Sequence, residues 1–110
     1  MREEYAKLAY HGKPVPDGLP EEEVPAYIML CELYRLHKAG EIPADTAAIL
    51  KKPIMEYPNC PVMERASLLR YFFPNALGRA QKGEKTAWEE AMQLFEEYAK
   101  IPLDTWTTVL

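Results

Sequence analysis

Few residues of this chain have the types and spacing that chemistry requires. Gly12-Lys13 is the pair that closes a phosphate-binding loop. Such a loop needs G-x-x-x-x-G-K-[ST], because several glycine amides cradle the phosphates and the hydroxyl binds the metal. Here Pro14, which has no N–H, follows the lysine, and no glycine precedes Gly12. Cys31 and His37 stand on different faces of one predicted helix, and His11 has no His or Cys neighbour, so no metal-ligand spacing forms. The single serine, Ser67, lies inside a predicted helix without elbow glycines, and Cys60 sits between Asn59 and Pro61 with no evident base. Glu89, Glu90, Glu96 and Glu97 make two acidic pairs one heptad apart. Nothing in the sequence desolvates one of them, as acid–base catalysis demands, so they read as a solvated stripe, or else an acidic docking surface. The expectation is a protein without catalytic, cofactor or metal site, and not an enzyme.

Contact residues are better represented. The chain has seven tyrosines and two tryptophans, types favoured at interfaces because they bury much area and keep a polar handle. Tyr27, Tyr34, Phe72, Trp88 and Phe95 fall on predicted core stripes. Tyr5, Tyr10, Tyr57 and Trp106 lie in or beside short elements. The stretch "HGKPVPDGLPEEE" adds His11, Lys13, Asp17, Glu21, Glu22 and Glu23. In it Pro16-Asp17-Gly18 is a turn signature, with proline at the second position and glycine free to take positive φ. The stretch reads as a stiff connector first and the rim of a protein-contact surface second. The candidate partner contacts are therefore Tyr5, Tyr10, His11, Lys13, Asp17, Glu21, Glu22, Glu23 and Trp106. Arg65, Arg70 and Arg79 suit an anionic partner but share no helical stripe. The terminal Thr108-Val109-Leu110 matches a peptide pattern read by carboxylate capture, a match that chance explains better.

The elements that must hold these residues are all helical. Arg2–Tyr10 carries Tyr5, Leu8 and Ala9 on one side, ended by Gly12 and Pro14. "VPAYIMLCELYRLHKAGEIP" has Glu32, Arg35 and Lys38 stepping by three and is otherwise apolar, a helix buried on most faces. Pro25 places its start near Glu22 to Pro25, with Glu21–Glu23 at the positive end. Gly40 serves as its C′ residue, with His37 and Lys38 in the last turn. Pro43 opens a helix with Ala47, Ile49 and Leu50 inward, antiparallel to the previous one. Pro53 ends or kinks it, "IMEY" continuing at an angle, and "PNCP" is a loop. Val62–Phe72 forms the next helix through Met63, Ala66, Leu69 and Phe72. Pro74-Asn75 breaks it, Asn75 capping a short helix that Gly83 ends. In "EKTAWEEAMQLFEEYAK", Trp88, Ala91, Met92, Phe95 and Ala99 define the inward face. The tail "IPLDTWTTVL" is expected to return Leu103 and Trp106 to the core. The fold class is all-α, a compact bundle of about five or six short helices with proline-rich connectors, in a single helical domain over 1–110.

Composition sets the remaining bounds. The chain has 110 residues, 48% hydrophobic and 27% charged, values of a globular protein. Its ten prolines are spread along it and punctuate short elements. No apolar run approaches a membrane span, and the N-terminus lacks a signal-peptide pattern. A cytoplasmic location and no membrane partner are the expectation. Thirteen basic against seventeen acidic residues give −4, which disfavours direct nucleic-acid binding. Cys31 and Cys60 have no CxxC spacing and read as packed thiols rather than a disulfide.

Tyr5, Lys7, Leu8, Ala9 and Tyr10, then Gly12, Pro14, Pro16, Asp17, Gly18 and Leu19, then Leu33, Tyr34, Lys51 and Lys52 form a further pattern. It resembles small uncharacterised proteins encoded in prophages of gut Firmicutes. The likeness covers the N-terminal half, and the chain departs from that pattern after Pro53. That family brings no established activity. The resemblance implies a phage protein of the bacterial host cytoplasm that acts by binding. The first expectation is inhibition of a bacterial defence system, a CRISPR effector foremost, by steric occlusion. The alternatives are an oligomeric sponge for a nucleotide second messenger, built on aromatic stacking and arginines, or a phage regulatory or structural adaptor. Homo-oligomers fit any of these. A helix-turn-helix made by the second and third helices is disfavoured, since its reader would carry only Lys51 and Lys52 at the far end.

Overall fold

The computed structural model describes residues 1–109, with side chains for 1–107. Among the described residues the chain is all-α, with six helices and no strand. These are α1 (Glu3–Tyr10), α2 (Val24–Lys38), α3 (Ala44–Glu56), α4 (Val62–Gln81), α5 (Ala87–Lys100) and α6 (Leu103–Val109). A single 3-10 turn, Glu21–Glu23, precedes α2. The helices sort into two compact units, Met1–Cys60 and Pro61–Leu110. The side chains of Thr108-Val109-Leu110, the carboxylate-capture pattern, lie outside the described residues.

Local chemistry sets the helix ends. α1, α2 and α4 stop by the same device, with Gly12, Gly40 and Gly83 at φ of +67°, +77° and +88°. In each, the amide after the glycine bonds back to the third-last helical carbonyl. These bonds are Lys13 N–H to Leu8 O at 3.0 Å, Glu41 to Leu36 at 3.0 Å and Glu84 to Arg79 at 3.2 Å. A left-handed residue there satisfies carbonyls that the helix leaves open, and glycine adopts it without a Cβ penalty. Pro25 lies in the first turn of α2, where a missing N–H costs nothing, and the three acids precede it.

In the first unit α2 is the central element, and α1 and α3 both pack on it. Pro25–Leu30 and Leu33 are all buried, with Ala6, Ala9, Leu19, Ile42, Ile54 and Tyr57. The Tyr27 hydroxyl donates to the Lys13 carbonyl at 2.7 Å, tying the loop to α2. Three expectations are corrected here. Glu32 is not on a polar face but buried, with its carboxylate 2.9 Å from Arg35 one turn on. Ile49 is exposed, and Ile54 provides the buried anchor of α3. In the connector, the Leu19 amide bonds to Pro16 O at 3.2 Å, so Pro16 is the first residue of the turn, not the second. Gly18 is not among the positive-φ glycines. A Cβ there would stand 3.2 Å from the Tyr5 hydroxyl, a contact tight enough to make that side chain shift.

In the second unit α4 packs on α5 and on α6. α4 runs unbroken through Pro74, as α3 runs through Pro53. Proline removes the bond to the carbonyl four residues earlier. Those carbonyls belong to Arg70 and Ile49, residues on the exposed side of their helices. Asn75 is no cap: its side-chain amide donates to the Tyr71 carbonyl at 2.7 Å within the continuous helix. Ala66, Leu68, Leu69, Phe72, Ala76 and Ala80 form the buried face of α4. Met63, expected inward, is exposed.

Candidate functional site

α5 presents its large apolar residues outward. Its buried positions are Ala87, Ala91 and Leu94. Trp88, Met92 and Phe95 are 54%, 53% and 45% exposed, against the expectation that they form the core. At 100° per residue the helix carries two adjacent apolar stripes. One is Ala87, Ala91, Leu94 and Tyr98; the other is Trp88, Met92, Phe95 and Ala99. The buried positions facing one another across the α4–α5 hairpin include Ala76, Ala80, Ala87 and Ala91. Small residues let two helices approach closely, which leaves the bulky stripe outside the hairpin. The signal that could have found it is the width of the apolar arc, which is more than one helix partner can cover.

The exposed stripe extends to α4, where Phe73 meets Phe95 and Tyr98 with ring centroids 5.7 Å away in each case. Glu89 and Glu96, both exposed, form its outer edge. The hairpin under it is clasped by Arg79, whose guanidinium reaches Glu84 at 3.0 Å and Glu90 at 3.2 Å. Arg79 is thereby engaged within its own unit. Thr86, which immediately precedes α5, holds φ of +66° and places its hydroxyl 3.2 Å from Glu90.

Trp106, named both as a candidate contact and as a tail residue returning to the core, takes the second place. It is buried, stacked on Tyr98 with centroids 4.2 Å apart, because a flat ring against α5 removes more apolar area from water than one facing solvent. Leu103, expected to pack beside it, is exposed. Tyr57 is likewise buried.

The N-terminal candidates divide between two crevices of the first unit. Tyr10 and His11 line one of about 160 Å³, together with Lys7, Tyr34 and Lys51. Glu22 and Glu23 line another of about 600 Å³, beside Glu56, Tyr57 and Asn59. The Met1 amino group sits there, 3.1 Å from Glu23. Tyr5 is half-buried against Gly18, and Lys13, Asp17 and Glu21 are exposed along the connector. The sequence marks none of Lys7, Tyr34 and Lys51 as a contact residue, and it takes the packing of α1 and α3 on α2 to bring them together.

Among the described residues no group of three His, Cys, Asp or Glu could hold a metal ion. Neither cysteine is in a disulfide. No helix is long and apolar enough to cross a membrane, again among the described residues. No family model matches the chain, and no curated protein or solved structure matches it either.

Proposed function

We propose that this protein is a non-catalytic binding protein that occludes a surface of a protein partner, with the Trp88–Met92–Phe95 face of α5 as its docking surface. The observation that carries this reading is the exposure of three large apolar side chains on one stripe. From Trp88 to Ala99 the stripe spans roughly 16 Å of helix at 1.5 Å per residue. Monomeric proteins leave such contiguous apolar surface bare mainly at interaction sites. Trp and Phe are also the residue types that anchor interfaces.

The edge of the stripe specifies the partner's chemistry. Glu89 and Glu96 flank it, so a partner helix with an apolar stripe bordered by lysine or arginine is complementary. A second copy laid antiparallel on the same stripe brings these acids against their own counterparts, which opposes self-association through this face. The prophage-like N-terminal pattern directs the search for that partner to bacterial defence effectors, CRISPR effectors first. The other ligand class raised by the sequence, a nucleotide second messenger, finds less support. The aromatic crevice of about 160 Å³ is smaller than the ~300–1,000 Å³ of pockets that enclose a whole ligand. The crevice of about 600 Å³ is lined by Glu22, Glu23 and Glu56, which repel a phosphate.

The test is binding and inhibition across a panel of purified defence effectors, with wild type, Trp88→Ala and Phe95→Ala. A hot-spot aromatic is worth about 2 kcal/mol or more, roughly 30-fold in affinity. The expected result is complex formation with loss of effector activity, weakened by at least that factor in both variants. A panel that neither binds nor loses activity sinks the defence reading. A partner that binds both variants as tightly as wild type sinks the docking face.

A further inference from the structure

We propose that the crevice between α1, α2 and α3 is a receiving site for one anionic group, a phosphate or a carboxylate, held by Lys51 in place of the carboxylate of Glu3. This site lies in the other unit from the α5 stripe and stands independently of it.

The chain is acidic overall, yet the crevice gathers Lys7, Lys51 and His11 around the rings of Tyr10 and Tyr34, with Glu3 as its one acid. Lys38 adds a further positive charge at its border, with its ammonium 4.0 Å above the Tyr10 ring and donating to the Tyr10 carbonyl. The walls are set before a ligand arrives: Tyr10 meets Tyr34 edge-to-face at 5.3 Å and His11 at 5.3 Å. Pre-set walls lower the ordering cost of binding.

An anion already occupies the position. The Glu3 carboxylate lies 3.0 Å from the Lys51 ammonium, which demonstrates that the geometry accepts one. Lys51 is mostly covered, at 33% exposure, whereas Glu3 is 68% exposed and reaches in from the rim. An exposed ion pair of this kind is worth only about 0.2–1 kcal/mol, so an incoming anion displaces Glu3 at small cost. Bonding to Glu3 raises the Lys51 pKa above its ordinary value, against partial burial, which lowers it. At about 160 Å³ the crevice admits a phosphoryl or carboxyl group with its carrier left outside, not a whole metabolite.

The experiment is a titration of the full chain, followed by backbone amide NMR at constant ionic strength, in two arms, inorganic phosphate and acetate. The expected result is saturable shifts confined to Ala6, Tyr10, Tyr34 and Lys51. Glu3→Gln removes the resident competitor and tightens binding by roughly 1.4- to 5-fold, the equivalent of the ion-pair energy. Lys51→Met abolishes the shifts. Saturation by phosphate alone assigns a phosphorylated ligand, and saturation by acetate as well assigns a carboxylate. No saturable shift with either anion in wild type and Glu3→Gln overturns the proposal. Undiminished binding by Lys51→Met overturns it too. The gain expected of Glu3→Gln keeps the test decisive even if Lys51→Met fails to fold.

Discussion

Replacing Met92 by lysine and, separately, Leu94 by alanine tests which face of α5 is buried. Leu94 has no exposed surface, and truncating a fully buried leucine costs about 2–5 kcal/mol, as lost transfer energy plus the cavity left behind. Met92 is 53% exposed. Full burial of a methionine is worth about 1.5–3 kcal/mol, so its covered half contributes roughly 0.7–1.5 kcal/mol. Lysine keeps most of that by laying its methylenes on the same surface with the ammonium in water. Its helix propensity is close to that of methionine. At position 92 it also lies one turn from Glu89 and from Glu96, where helical ion pairs return a few tenths of a kcal/mol. The net cost of Met92→Lys is therefore under ~1 kcal/mol. If Met92 faced the core, the same change would bury an unmatched charge and cost more than ~4 kcal/mol, a large share of the ~5–15 kcal/mol that holds an ordinary domain. Urea unfolding followed by circular dichroism measures both variants, compared through their midpoints at unchanged slope. The expected order is a small shift for Met92→Lys and a large one for Leu94→Ala. Equal or reversed costs would refute the assignment of the outer stripe, and the proposed docking face with it.

Thr86→Asn should stabilise the chain by up to about 1 kcal/mol, raising the melting temperature by a few degrees. A β-branched residue at φ of +66° is strained, whereas asparagine tolerates that region; an unchanged or lower melting temperature would contradict this. Burial, with the Cys31 thiol adding to it, pushes the Tyr27 pKa from 10.0 up to about 12. The unfolded chain then releases this proton first, so the stability contribution is complete below about pH 10 and falls as pH rises toward 12, by on the order of 2–3 kcal/mol. Tyr27→Phe gives up the bond to the Lys13 carbonyl, about 1 kcal/mol, and should flatten that alkaline decline in equilibrium unfolding.

Much of the helical layout is legible in the sequence because its causes are local. Gly12, Gly40 and Gly83 each terminate a helix, since a left-handed residue is disallowed to most side chains but not to glycine. Pro25 marks a helix start for an equally local reason. Pro53 and Pro74 were expected to end or break helices, yet both lie inside them. A proline tells which hydrogen bond is lost, and only the surroundings tell whether water can stand in for it. The contact residues show the same limit. Tyr10 is exposed as expected, but two of its neighbours in the crevice, Tyr34 and Lys51, come from α2 and α3, far along the chain.

By itself, then, the sequence determines that this protein is helical, where three helices stop, and which residues are apolar enough to need burial or a partner. These follow from backbone sterics and periodicity, which act over a few residues. The tertiary structure alone decides which apolar stripe of α5 is buried, because Ala87 and Ala91 permit a closer approach than Trp88 and Met92 and close packing with α4 selects them. It alone decides that Glu32 is buried beside Arg35 and that Tyr98 is the ring on which Trp106 stacks. Each choice depends on what the surrounding elements cover, and the order of residues along one helix does not contain that information.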